Sequence, residues 1–215
     1  MKLHQLTQQG LALPTVMVML MLASVGTLLA WRQLWVNEVL LKTEGDQLRT
    51  QYKAEAVLPL AVQDMVGRAS AAGDNTQTHV FFPTTLAERE VLRQTLGSEA
   101  CRNGICALTP PKTEKEDHFS KASTWKSMTA SAMPVSASDT PYGAGTAWYW
   151  VDIQPDAVQL ATHPSANSAP PFIYRITVLA NGVLPSSSTV LQTLWTRTNL
   201  SDTRGKRHSW RILQD

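Results

Sequence analysis

The chain has 215 residues, 43% of them hydrophobic and 17% charged, with a formal net charge of +2. So even a balance excludes a general polyanion binder, and nucleic acid is not an expected partner; at most one local patch works that way. Two cysteines and five scattered histidines (His4, His79, His118, His163 and His208), none in HExxH or related spacing, argue against a zinc or other metal site.

In chain order, the first ten residues are polar and carry Lys2, and the next 21, Leu11 to Trp31, hold no charge. At about 1.5 Å of rise per residue, such a run spans roughly 31 Å as a helix, which suits a hydrocarbon core of about 30 Å. A cleaved secretory signal has a shorter apolar core. Leu28-Leu29-Ala30 offers it a cleavage site, but Trp31-Arg32 is a poor mature start. A plain signal-anchor fits the length and the basic N-terminus, yet leaves Gly10 at the apolar boundary unexplained.

Past Trp31 the pattern stays helical and turns amphipathic. Leu41, Leu48, Tyr52, Ala56 and Leu60 recur at spacings of seven and four, predicting a stripe on one face, with Lys42, Asp46, Arg49 and Lys53 on others. Pro59 should kink or interrupt the helix, which ends near Gly67. Counted from Leu11, the stalk measures on the order of 85 Å.

Residues 68–215 are predicted to form one small α+β head. His79-Val80-Phe81-Phe82 is a strand candidate. Leu86 to Leu96 reads as a helix with Thr84 or Thr85 as N-cap and Gly97 beyond its end. The stretch 146–153, then 172–179, 189–196 and 209–213, reads as four strands without intervening helices, hence an antiparallel sheet, with the lower stalk helix as its cover. Ser, Thr, Pro, Ala and Lys dominate residues 109–145, which predicts an exposed, partly disordered loop that Trp125, Met128 and Met133 pin in places.

Cys101 and Cys106 flank Arg102-Asn103-Gly104-Ile105. Asn-Gly is a two-residue hairpin signal. It places the cysteines at a non-hydrogen-bonded pair about 4.5 Å apart at Cα, within reach of a disulfide.

Enzyme chemistry finds little support. There is no GxSxG and no phosphate-binding glycine loop, and Glu114, Glu116, Asp117 and His118 are near neighbours in a loop, a poor scaffold for catalytic geometry. Trp148-Tyr149-Trp150 reads as core. Arg204, Lys206 and Arg207 form a basic loop, by default a solvated hairpin tip and otherwise a contact for an anionic surface. No cofactor is expected.

The junction Gly10-Leu11 resembles the cut site of a class III leader, where prepilin peptidase cleaves after glycine and leaves the apolar helix attached. Gln47 to Leu58 (QLRTQYKAEAVL) is similar to the "AFQAAEAAL" segment of PilX-type minor pilins. Tyr174-Arg175-Ile176-Thr177 and Thr189-Val190-Leu191-Gln192 are similar to the "YRIT" and "VVLQS" pieces of that family. The resemblance implies a leader over 1–10, a membrane half of the helix over 11–31, an amphipathic half over 32–67, and a mature N-terminus at Leu11. It further implies a minor pilin that primes assembly of a type IV pilus. Its partners would be other minor pilins, the major pilin, prepilin peptidase, the inner-membrane assembly machinery and the lipid bilayer, with the head in the periplasm.

One departure bears on role. Thr15 stands at the fifth mature position, where major pilins carry glutamate, so the resemblance points to a minor subunit. A type II secretion pseudopilin is the near alternative, and a signal-anchored periplasmic enzyme or binding module the distant one.

Overall fold

The computed structural model describes residues 12–70, 82–108, 118–136, 146–156, 172–197, 202 and 204–214. Gly10 and Leu11, the candidate strand at 79–81, and Glu114, Glu116 and Asp117 lie outside them. The chain divides into two units, Met1–Gly45 and Asp46–Asp215.

The first unit is the leading part of helix α1, Ala12–Ser70. Leu20, Leu28, Trp31 and Trp35 are among its many exposed apolar side chains. The helix is long and apolar enough to cross a membrane once. Ser24 and Thr27 do not leave hydroxyls stranded on this surface: Ser24 Oγ donates to Leu20 O at 2.8 Å and Thr27 Oγ1 to Ser24 O at 2.8 Å.

The second unit is the head, and it is α+β as the sequence predicts. Strands β4 (Ala147–Pro155), β5 (Phe172–Asn181), β6 (Ser188–Thr196) and β7 (Lys206–Leu213) pair in sequence, all antiparallel. Three short strands, β1 (Cys101–Arg102), β2 (Ile105–Cys106) and β3 (Met133–Val135), complete the sheet. β2 and β3 share the outer edge of β4, β2 running parallel to it and β3 antiparallel. The strand order is β1-β2-β4-β5-β6-β7.

Alternation along the central strands gives the sheet two apolar faces. One holds Tyr149, Val151 and Ile153 of β4 with Tyr174, Ile176 and Val178 of β5, and α1 covers it through Ala54, Val57, Leu58, Ala61 and Met65. Helix α2 (Leu86–Leu96) adds Leu92 and Leu96. Its caps follow the sequence: Thr85 Oγ1 accepts from Glu88 N at 3.2 Å, and Gly97, at φ +59°, closes the end.

The α1 stripe is a correction. Leu41, Leu48 and Tyr52 are exposed and Ala56 and Leu60 half-buried, whereas Asp46, Thr50 and Lys53 are buried. The face toward the sheet is 46-50-53-54-57-58-61-65, also helically spaced but opened by polar residues. The polar ones are held by the turn between β5 and β6. Asp46 Oδ1 accepts from Val183 N at 3.1 Å and Oδ2 from Leu184 N at 2.9 Å, while Lys53 Nζ donates to Asn181 O at 3.5 Å. Gly182 is required here, since a Cβ would fall 2.4 Å from Asp46 Oδ2 and 2.7 Å from Thr50 Oγ1. Pro59 does not interrupt the helix, which runs on to Ser70.

The loose excursion is the second correction. Within 109–145, the described residues 118–136 fold as a short 3-10 turn, helix α3 (Ala122–Ser127), a second 3-10 turn and β3. Trp125, fully buried, is the reason: its ring meets Trp150 at 5.2 Å and Phe119 at 5.5 Å, and its Nε1 donates to Phe119 O. With Ala122, Ala132, Leu179, Val190 and Leu213 it forms the core on the sheet's second face.

Candidate functional site

The cysteine pair sits as its turn dictates. Asn103 (φ +47°) and Gly104 (φ +76°) both adopt positive φ, as a two-residue hairpin of this kind requires. Cys101 and Cys106 are directly paired with Cα atoms 4.2 Å apart, and their sulfurs are bonded at 1.99 Å. The turn is more than a surface staple. Gly104 N donates to Ser131 O at 2.8 Å and its carbonyl accepts from Val151 N at 2.7 Å. A Cβ on Gly104 would lie 2.7 Å from Met133 Cβ, so the turn is wedged between β3 and β4.

Behind it lies a buried ion pair. Arg175 Nη2 donates to Asp152 Oδ2 at 2.9 Å; Gln154 Nε2 donates to the same oxygen and Leu108 N to Oδ1. Burial pushes the Asp152 carboxyl up, and Arg175 and the other donors pull against it. Phe119 stacks under the Arg175 guanidinium at 5.9 Å. The cluster ties β4, β5 and the chain leaving β2 together, and its closed surroundings fit a structural role.

The head also carries an open groove of about 600 Å³. Leu58, Val62 and Val66 of α1 form one wall, and Ile176, Thr193 and Trp195 of the sheet form the floor. Glu55 of α1 and Arg204 and Arg207 of the basic loop also line it, at its rim. The basic loop is built onto the sheet, and its cationic side chains are exposed. Asp202 Oδ1 accepts from Arg204 N and Gly205 N at 3.1 and 2.9 Å, and Trp195 Nε1 donates to Arg204 O at 3.1 Å. Gly205, at φ +56°, lies against the indole so closely that any Cβ would overlap it. Lys206 and Arg207 open β7 with exposed side chains. His208 pairs with Thr196 Oγ1 at 2.6 Å.

Chemically the groove offers apolar contact beside cationic groups. It holds no nucleophile–base pair, and among the described residues no cluster of His, Cys, Asp or Glu could hold a metal ion. Trp148-Tyr149-Trp150 is core, with Tyr149 and Trp150 buried. Sequence reasoning missed the groove because its two sides are distant in sequence; the signal available was Trp195 ahead of a glycine-containing basic loop. Compared with known protein families, curated proteins and solved structures, the chain matches none.

Proposed function

We propose that the chain is a pilin-like subunit, specifically a minor pilin that takes part in priming a type IV pilus. The observation that supports this most is that one helix, Ala12–Ser70, is both the apolar span and, through residues 54–65, a principal element of the head core. A cleavable signal would be lost from such a chain, and a plain anchor has no need to enter the head's core. The polar leader ending at Gly10 completes the pattern. Thr15 argues for low copy number: a shaft lacking a carboxylate at this position would bury an ammonium without compensation in each subunit. The compartment that follows is the bacterial inner membrane with the head in the periplasm.

The test is the mature N-terminus. Mass spectrometry of fibre-associated protein should find Leu11 first, and Gly10→Val should block processing. Retention of Met1 on assembled protein overturns the reading. In sheared pili the chain should be far scarcer than the major subunit; comparable amounts would refute the argument from Thr15.

A further inference from the structure

The two lateral margins of the sheet differ. On one side the outer edge of β4 is occupied by β2 and β3, and the sheet ends in the two-residue β1, closed by the disulfide. On the other side β7 pairs, among the described residues, with β6 alone, and every residue from Lys206 to Ile212 is exposed. Its outer row of backbone N–H and C=O groups is a template for another strand. An edge of this length is normally blunted by proline, a bulge or charge. β7 has no proline; a bulge opposite Leu194/Trp195 and the cations Lys206, Arg207 and Arg211 guard it against indiscriminate pairing, while Ser209 to Leu213 stays regular, so the edge is open to a strand of opposite charge.

Its side chains restrict what can pair there. By register, Arg207, Trp210 and Ile212 share the α1-covered face with Trp195, Thr193 and Leu191, while Lys206, Ser209 and Arg211 share the other with Thr196, Leu194 and Gln192. Trp210 and Ile212 are 43% and 41% exposed, an apolar pair beside the groove. None of Arg204, Lys206, Arg207 and Arg211 makes an ion pair with a described residue. A second copy of β7 would bring the same set of cations to the edge and offer them no carboxylate.

We propose that β7 receives an extended, alternately apolar and acidic segment of a partner protein as an additional strand. The apolar side chains of the segment lie over Trp210 and Ile212. Its carboxylates meet Lys206 and Arg211 on the opposite face, and one at its end reaches Arg204 and Arg207 at the groove rim. Main-chain hydrogen bonds supply the attraction, and the two-residue alternation sets the register. The inference rests on the head alone and stands whether or not the chain is a pilin.

The test uses the full chain in detergent micelles and a fluorescently labelled synthetic peptide alternating valine and glutamate, read by anisotropy. Saturable binding is expected, weakened about tenfold by Arg211→Glu, the equivalent of one lost charge contact. Two peptides methylated on alternate amide nitrogens separate strand addition from charge attraction without altering the protein. Only one edge of an added strand faces β7, so one methylation pattern should abolish binding and the other should preserve it. An oligothymidylate probe of matched charge should compete poorly. If both methylated peptides bind equally, or the oligonucleotide competes as well as the peptide, β7 is a polyanion patch and the proposal fails. Absence of peptide binding at hundred-micromolar concentrations refutes it as well.

Discussion

The two stretches of α1 invert the usual relation between composition and burial. Residues 13–31 carry no charge and are exposed, Met21 at 65%. Residues 46–65 carry acids, bases and amides, yet bury Asp46, Thr50 and Lys53 beside Val57, Ala61 and Met65. What a helical residue faces is decided by the partner available. In the first stretch the described residues supply none, and its length and composition suit a membrane. In the second the partner is the sheet with its β5–β6 turn, whose free backbone N–H groups and carbonyl reward charged side chains directly.

The contrast can be broken most severely in the buried stretch. Met65→Ala should cost about 2–5 kcal/mol in chemical denaturation of the head, whereas Met21→Ala should stay within about 0.5 kcal/mol. Gly182→Ala should cost about 1–3 kcal/mol by pushing a methyl into Asp46 and Thr50; an unchanged denaturation midpoint would disprove the close packing described for that turn. Removing the disulfide with Cys101→Ser should cost about 2 kcal/mol, the entropy of closing so small a loop.

Asp46→Asn gives the smallest and most diagnostic effect. The backbone N–H of Leu184, with Ser187 and Val183, holds the Asp46 carboxyl below its ordinary 3.8 despite its burial. A depressed acid stabilises the fold above its unfolded value, and that contribution is lost as pH falls through the folded one. The stability gap between the native chain and Asp46→Asn should therefore be full near neutrality and shrink below pH 3.8. A gap independent of pH would remove the charge from the explanation.

The four long strands were legible because hydrophobic alternation and Gly/Pro/Ser turns are local signals, as were the caps of α2 and the Asn103-Gly104 turn. The buried face of α1 was not. Spacings of seven and four singled out Leu41, Leu48 and Tyr52, and nothing local shows that Asp46 and Lys53 meet a turn more than a hundred residues away. Trp125 was legible as a residue that pins the 109–145 stretch, but composition hid how far the order extends from it, since Phe119, Trp125 and a few alanines suffice to cover a sheet face among serines and threonines. The groove needs Val62 and Trp195 together, and neither marks it alone.

The bonds from Asp46 to Val183 and Leu184 join residues 137 and 138 positions apart. During synthesis α1 emerges first, and its lower part meets its partner only after the β5–β6 turn has been made. Until then Val57, Ala61 and Met65 have no sheet to lie on. A helix made before the sheet is thus among the last elements to be secured, and a nascent chain halted before Asn181 should present residues 46–65 to protease or to a chaperone.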